Sequence, residues 1–326
     1  MPESAIEGLI DAISYLYEKQ DKGPLIAFHG GEPLLFGLAP FEALVERILE
    51  QTPQARMTVQ SNGTIYNSSL AKMLGKYHQS LSFSLSVDGF QEDNDRHRVD
   101  RRGTSRFRKI KDTIERARDS KVLNAILMVV DTNNPPERIL EFMHWAGASQ
   151  YDLLLPDGDH ESLPPMKDSL HSDEAAQWVV KFANLYCQAR RPFGVRMLDD
   201  LIERSIFQKY QLSRPTRRIP TVDLTVDTDG EIKLVDTLRI NQRGSDFAGG
   251  FTISRAGIDA VLCASELREF LRMRGDVAPE CKSCRHFDMC GGGYIQHRWG
   301  DESYRNPSVY CSDYKRLFES FERAMS

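Results

Sequence analysis

Apolar residues along this chain follow two spacings that take turns. Stretches in which they recur every three or four positions, as in helices, alternate with short apolar runs typical of strands. The predicted elements are helix 5–17, strand 24–28, helix 41–49, strand 56–60, helix 68–77, strand 81–87, helix 107–118, strand 125–130, helix 136–145 and strand 151–155. Strand–helix alternation with short links predicts parallel βα units. The number of units favours an open or partial (β/α) barrel over a full eight-fold one.

The pattern changes after this series of units. Residues 157–167, DGDHESLPPMK, are polar and contain prolines. This composition predicts a loop and a boundary between two regions. Two helical stretches follow, 173–190 and 198–210. Residues 221–240 then alternate in polarity around Asp229-Gly230, which predicts a β-hairpin.

Polar residues and glycines collect directly after the first three strands, at 29–32, 61–63 and 86–89. A glycine after a strand is ordinarily only part of a turn. In parallel α/β folds, however, the chemistry lies at the carboxyl ends of the strands. Three successive strand ends with the same composition therefore indicate a binding site there.

Composition narrows the functional classes. The chain has 326 residues, of which 40% are hydrophobic and 27% charged, with a net charge of -5. This mild acidity gives no support for binding to nucleic acid or a membrane surface. No apolar run is long enough to span a bilayer, and the N-terminus lacks the layout of a signal peptide. Six cysteines, four of them clustered, favour metal binding in a reducing cytoplasm over a disulfide framework.

The four clustered cysteines are the most specific chemical signal in the chain. Cys281, Cys284 and Cys290 fall as C-x2-C-x5-C before three consecutive glycines, and Cys311 closes the set. Two thiolates on one tight turn can face the same metal, and four soft ligands suit an iron–sulfur cluster or a zinc ion. Four unrelated buried thiols is the alternative, and spacing alone does not separate zinc from iron–sulfur.

Several motifs, taken in order, resemble those of radical SAM enzymes that carry a SPASM domain. They are FHGGEPLLFG, VQSNGTIYN, SLSVDG, NDRHRVDRRG, the C-x2-C-x5-CGGG run and NPSVYC. More narrowly, DLLLPDGDHESLPP together with CGGGYIQHRW and NPSVYC resembles the branch that forms cyclophane cross-links in ribosomally made peptides. The resemblance covers nearly the whole chain, and its C-terminal motifs are the specific part.

The resemblance implies a site for S-adenosyl-L-methionine (SAM) at the strand ends. Its residues would be Gly30, Gly31, Glu32, Asn62, Ser86, Asp88 and Arg98. In the family, the GGE motif receives the methionyl ammonium of SAM on backbone carbonyls and a carboxylate. The fourth-strand motif contacts SAM, and an arginine holds the SAM carboxylate. For Arg98 the alternative is a solvated charge in the run RHRVDRR.

The resemblance also implies one auxiliary 4Fe-4S cluster on Cys281, Cys284, Cys290 and Cys311. The four cysteines match the ligands of the family's second auxiliary cluster. The family's first auxiliary cluster is not expected, because two of its cysteine positions fall on Val235 and Tyr294. In related enzymes an aspartate directly after the lost cysteine accepts a proton from the substrate. That position is Asp236, which we predict as the catalytic base; a solvated hairpin aspartate is the alternative.

The family pattern is broken at its front. Radical SAM enzymes need C-x3-C-x2-C for the cluster that binds SAM, whereas the first cysteine here is Cys187. We therefore expect a first barrel strand to be missing and the chain as written to be inactive, and an N-terminally shortened enzyme is favoured. The alternative is a cluster-less, non-catalytic accessory protein that binds a peptide. The upstream coding DNA would distinguish the two.

The resulting expectation is a cytoplasmic α/β protein. Residues 1–160 would form a partial radical SAM (β/α) barrel lacking its first strand, 161–219 a helical connector that completes it, and 220–326 a SPASM-like auxiliary cluster domain. The expected partners are a precursor peptide and a reductant such as flavodoxin or ferredoxin. Neither nucleic acid nor a membrane is expected.

Overall fold

A computed structural model describes residues 1–20, 23–210, 222–233, 238, 241 and 250–324. The helices are α1 (Glu3–Lys19), α2 (Leu38–Gln51), α3 (Ser68–Lys76), α4 (Gln91–Asn94), α5 (Phe107–Asp119), α6 (Pro136–Ala146), α7 (Glu174–Gln188), α8 (Arg196–Lys209), α9 (Arg255–Cys263), α10 (Ser265–Gly275), α11 (Pro279–Lys282), α12 (Phe287–Cys290) and α13 (Cys311–Ala324). The strands are β1 (Leu25–Phe28), β2 (Arg56–Ser61), β3 (Leu81–Ser86), β4 (Leu123–Val129), β5 (Gln150–Leu154), β6 (Gly194–Val195), β7 (Thr225–Val226) and β8 (Ile232–Lys233).

Six strands form one parallel sheet in the order β1-β2-β3-β4-β5-β6. Each strand pairs with its neighbour in sequence, as in the register Leu25↔Arg56 and Phe28↔Val59 between β1 and β2. All five strands predicted from the pattern of apolar residues are present, and β6 is an addition. The prediction of parallel βα units is therefore confirmed.

Strand position explains how apolar each strand is. Phe83 and Leu85 of the inner strand β3 are fully buried, whereas Leu25 of β1 is 64% exposed. In the part of the chain that the structure describes, β1 pairs on one side only, with β2. An edge strand has one free row of backbone donors and acceptors and fewer neighbours to bury it.

Helix α5 shows how the helices hold the strand ends. Its buried residues Phe107, Ile110 and Ile114 recur at helical spacing and form one apolar face. From the same helix, the Thr113 hydroxyl donates a 2.8 Å hydrogen bond to the backbone carbonyl of Gly63, just beyond β2. The loop after β2 is therefore also held by α5, a helix of the next βα unit.

The chain divides into two compact units. Residues 13–155 and 181–199 form one, which we call the sheet unit; residues 1–12, 156–180 and 200–326 form the other, the cysteine unit. Each unit is assembled from separate stretches of chain. The three consecutive domains expected from the sequence stay a prediction.

The cysteine unit contains the predicted hairpin, as the antiparallel pair β7 and β8. Its core includes a cluster of six buried residues, Leu238, Leu267, Phe270, Ile295, Trp299 and Tyr304. A buried ion pair also crosses the unit: Lys167 Nζ lies 2.5 Å from a carboxylate oxygen of Asp313, and both side chains are fully buried. Across the described residues, no helix combines the length and the apolar character needed to cross a bilayer.

Candidate functional site

Glu32 joins the ends of β1 and β2 in the sheet unit. Its carboxylate accepts hydrogen bonds from the Ser61 hydroxyl at 3.1 and 3.2 Å and from the Asn62 backbone amide at 2.8 Å. It also accepts from the backbone amide of Leu34 at 3.1 Å and so caps the short helical turn that follows. Two strand ends that lie 30 residues apart in sequence are thereby held together.

Gly30 and Gly31 lie beside this carboxylate and leave their backbone open. A Cβ atom built on either glycine would meet no heavy atom within 4 Å. Both residues are exposed, and Glu32 is half-buried. Backbone carbonyls next to a carboxylate, with free space in front of them, can accept hydrogen bonds from a ligand ammonium.

Asp88 and Arg98 form a bidentate pair beyond β3. Arg98 donates from Nε at 2.5 Å and from Nη2 at 3.1 Å to the two carboxylate oxygens of Asp88. The Val129 backbone amide donates to the same carboxylate at 2.9 Å. Asp88 is almost completely buried, while the Arg98 side chain is 29% exposed. Because two of the five guanidinium N–H groups are used, Arg98 keeps donors for an incoming anion.

Ser86 and Asn62 are also tied into the strand ends. Gln60 Nε2 donates a 2.7 Å hydrogen bond to the Ser86 hydroxyl, which links β2 to β3. The Asn62 side-chain oxygen accepts from the backbone amide and hydroxyl of Thr64 at 2.9 and 2.7 Å. Asn62 therefore shapes the turn after β2, and its side-chain oxygen is already engaged.

All seven residues assigned to SAM lie in the sheet unit, along the ends of β1, β2 and β3. Their mutual pairing was not visible in the sequence, nor was the supporting residue Gln60. Ser61 lies in the polar strand end 61–63 predicted from the sequence but had no role assigned to it. The alternation of strand and helix could have indicated Gln60, because it lies on the same strand just before that motif. Asp236 lies outside the described residues.

The four clustered cysteines lie in the cysteine unit, on two short helices, a turn and the start of a longer helix. Cys281 is in α11, Cys290 ends α12 and Cys311 begins α13. The Cys284 backbone amide donates to the carbonyl of Cys281 at 3.1 Å, which closes the tight turn expected from C-x2-C. All four thiols are free and partly exposed.

The thiols lie close enough to influence one another. Burial is the main cause that raises the pKa of Cys281, and the charges of Cys311 and Cys284 add to it. Burial likewise raises the pKa of Cys290 to about 11, with smaller contributions from Cys311 and Cys281. Desolvation also raises the pKa of Cys311. At Cys281, Cys290 and Cys311, burial therefore favours the neutral thiol, and a positively charged metal centre would favour the thiolate.

Glycine is required beside Cys290 by two close approaches. An added Cβ at Gly292 would lie 2.7 Å from Val277 Cγ1, and one at Gly293 would lie 2.9 Å from Ser308 Cβ. Both residues also have positive φ values, 85° and 75°. The backbone after Cys290 can therefore turn back within the space left by the packed side chains.

The four thiols are a donor set that fits a soft metal centre. Among the described residues, no group of three His, Cys, Asp or Glu side chains is drawn together as around a single metal ion. Four thiolates are the ligands of a tetrahedral zinc ion and equally of a 4Fe-4S cluster.

Comparisons with known proteins show which families and structures this chain resembles. Residues 5–146 match the model of the Radical SAM superfamily. A cysteine-type anaerobic sulfatase-maturating enzyme of Clostridium perfringens (strain 13 / Type A) is 27% identical over 304 residues, which cover 90% of this chain and 80% of that protein. The enzyme of the same name from Clostridium novyi (strain NT) is 21% identical, with coverage of 93% and 82%.

Solved structures show a similar fold. The structure of native anSMEcpe with bound AdoMet (SAM) and Cp18Cys peptide matches with a TM-score of 0.82 and 22% identity, over 100% of this chain and 90% of that one. Streptococcus suis SuiB bound to precursor peptide SuiA matches with a TM-score of 0.62 and 15% identity, over 92% and 68%. The α/β fold with a parallel sheet that the sequence predicted is thus confirmed, and residues 5–146 are similar to the Radical SAM superfamily.

Proposed function

We propose that this protein is a radical SAM enzyme with a SPASM-type auxiliary site that modifies a ribosomally made precursor peptide by a C–C or cyclophane cross-link. One observation carries the proposal: a radical SAM domain and a four-thiol set stand on one chain, the thiols well beyond the matched residues 5–146. The peptide substrate is supported by two structural neighbours, each of which has a peptide bound. The cross-link rests on the resemblance of the C-terminal motifs.

In this proposal SAM binds at the strand ends of the sheet unit. The open backbone of Gly30 and Gly31 and the Glu32 carboxylate accept hydrogen bonds from the methionyl ammonium. Arg98 holds the methionyl carboxylate with the donors that Asp88 leaves free. Asp88 then acts as a positioning residue, because it fixes the guanidinium in one orientation. Ser86 and Asn62 complete the wall of the site.

The thiol set has its own part in the proposal. Cys281, Cys284, Cys290 and Cys311 would hold one 4Fe-4S cluster, which supplies one-electron transfer when bound. Asp236 would accept the proton that leaves the peptide when its oxidation is completed. A reductant such as flavodoxin or ferredoxin and a cytoplasmic location belong to the same proposal.

The 326-residue chain alone should not cleave SAM reductively, because its first cysteine is Cys187 and it contains no C-x3-C-x2-C motif. The expected result with dithionite and SAM is no 5′-deoxyadenosine. A version with a strand and a C-x3-C-x2-C loop placed before Met1 should form it. Deoxyadenosine from the printed chain would contradict the proposal that this motif is required.

The enzyme and the accessory protein differ in one measurement. The extended version is incubated anaerobically with SAM, reductant and the precursor peptide encoded beside its gene, and the peptide is analysed by mass spectrometry. We expect the loss of two hydrogen atoms from the peptide for a cross-link. Peptide binding without any mass change, in a version that does cleave SAM, would favour the accessory protein.

Asp236→Asn in the extended version tests the proposed base. Loss of cross-linked peptide with continued formation of 5′-deoxyadenosine is the expected result, because hydrogen abstraction precedes proton removal. Asp223→Asn is the control, since it changes another aspartate of the same predicted hairpin. Cross-linking at the unmutated rate would remove Asp236 from the mechanism.

A further inference from the structure

Arg298 is buried at the heart of the cysteine unit. It ends a short 3-10 helix, Ile295–Arg298, and the whole residue is 1% exposed. Its Nη2 donates to the backbone carbonyl of Met273 at 2.7 Å, and its Nη1 donates to that of Arg274 at 3.1 Å. Both carbonyls belong to the last turn of α10, which carries the negative end of the helix dipole.

These contacts do not neutralise the guanidinium. Among the described residues, no Asp or Glu carboxylate forms an ion pair with Arg298, and its buried Nε has no hydrogen-bond partner. Asp276 acts on it only from farther away and is paired with Arg305 at 3.5 Å. A buried charge without a counter-charge costs several kcal/mol, so its presence calls for an anion nearby.

The thiol set lies beside this charge. Arg298 interacts electrostatically with the thiols of Cys281 and Cys290, whose negative charge would raise its pKa while burial lowers it. The backbone after Cys290 is close by: a Cβ on Gly292 would lie 3.4 Å from Arg298 Nη1. The guanidinium therefore lies within electrostatic range of these two thiols.

We infer that Arg298 is the counter-charge of the anionic centre that the four cysteines hold, and that it favours the reduced state of that centre. The inference rests on the cluster proposed above. Four thiolates leave a cluster with net negative charge, and one-electron reduction adds another negative charge. A fixed positive charge in a water-poor interior stabilises the more negative state more strongly.

Redox titration of the reconstituted protein tests this role. Arg298→Gln and Arg298→Met remove the charge, and Arg298→Lys keeps it. At a fixed applied potential, both neutral variants should have a reduced-to-oxidised ratio at least tenfold below that of the unmutated protein, a fall of about 59 mV for one electron. Arg298→Lys should stay close to the unmutated protein.

The double variant Arg204→Met with Asp200→Asn is the matched control. Arg204 donates a 2.6 Å hydrogen bond to the carbonyl of Met289, next to Cys290, so it also lies near the thiols. Its charge, however, is paired with that of Asp200 at 2.6 Å. Removing both charges should leave the midpoint potential nearly unchanged, because the net charge of the pair at the thiols is small.

The outcomes separate the inference from the function on which it rests. If a neutral variant of Arg298 folds, carries the normal iron content and has an unchanged midpoint potential, Arg298 has a structural role only. An equal shift of the potential in the double variant of Arg204 and Asp200 would lead to the same conclusion. A melting temperature that falls while the potential stays constant would lead to the same conclusion. If the unmutated protein takes up no iron and sulfide, the proposed cluster fails, and the role of Arg298 fails with it.

Discussion

The sheet unit and the cysteine unit each contain a cluster of polar side chains, but the two clusters differ in how far their hydrogen-bonding groups and charges are paired. At the strand ends, Glu32 accepts from Ser61 and Asn62, and Asp88 is saturated by Arg98. In the cysteine unit burial raises the pKa of Cys281, Cys290 and Cys311, and the buried Nε of Arg298 has no hydrogen-bond partner among the described residues. The first site is complete without its ligand, whereas the second is balanced only when an anionic centre is present. A site of the first kind is preorganised, and one of the second kind is stabilised by what it binds.

The largest effect should follow the loss of one thiol. Anaerobic reconstitution of the unmutated protein should give about four irons per chain with charge-transfer absorption. Cys290→Ser should lose almost all of that iron, because the cluster needs every one of its four thiolate ligands.

Cys187→Ser is the control for this loss, since Cys187 is exposed and stands apart from the set. It should retain the full iron content. Stoichiometric zinc without charge-transfer absorption in the unmutated protein would overturn the assignment of the site to iron and sulfur.

The next effect concerns the close packing beside Cys290. Gly292→Ala should lower the free energy of unfolding of the cysteine unit by about 2–4 kcal/mol, because the new Cβ overlaps Val277 and φ is positive. Urea unfolding measures it. Gly291→Ala also has positive φ but meets nothing within 4 Å, so its cost should be only about 1–2 kcal/mol. Equal costs would show that the overlap is relieved by movement of Val277.

A smaller loss is expected when the pair beyond β3 is broken. Asp88→Asn should lower the free energy of unfolding of the sheet unit by about 2–3 kcal/mol, because a buried charge-assisted pair loses one charge while Arg98 can still turn toward solvent. Asp112→Asn, which weakens the exposed pair with Arg116, should cost only about 0.5 kcal/mol. If both cost the same, the pair at Asp88 does not preorganise the site.

The smallest effect tests the contact between β1 and β2. Ser61→Ala removes one hydroxyl donor from Glu32 but leaves the donors at Asn62 and Leu34, so it should cost about 1 kcal/mol in urea unfolding. Affinity for SAM, measured by calorimetry, should change little. A cost as large as that of Asp88→Asn would mean that the hydroxyl, and not the carboxylate, organises these strand ends.

The sequence predicted the sheet unit well, and the reason is periodicity. Strands such as β3, with Leu81, Phe83 and Leu85 buried on alternate positions, are long enough to show a pattern. Two-residue β6 is too short to show one. Helices α9 and α10 were not predicted. Helix α9 has only nine residues, too few to show a clear period, and in α10 the apolar positions are interspersed with charged ones.

The sequence predicts candidate site residues, but it does not predict how their side chains pair. Glycines, carboxylates and cysteines at fixed spacing mark where chemistry lies, yet they do not show which side chains saturate one another. Arg298 and Lys167 illustrate the limit: each is a cation in a polar stretch of sequence, where exposure is the ordinary expectation, and both are buried. Only the fold brings a helix end, a thiol set or a distant aspartate to them.

The interleaved construction of the cysteine unit has a consequence for the order in which the protein can assemble during synthesis. Gly8 in α1 packs against the backbone carbonyl of Ile253, and Lys167 pairs with Asp313, 146 residues later. Most of the sheet unit is one continuous stretch, 13–155, that can fold while the ribosome is still translating the rest. Residues 1–12 must instead wait for residues beyond 200, and Cys311 is translated after the whole sheet unit. The four-cysteine set is therefore assembled on a chain whose sheet is already formed.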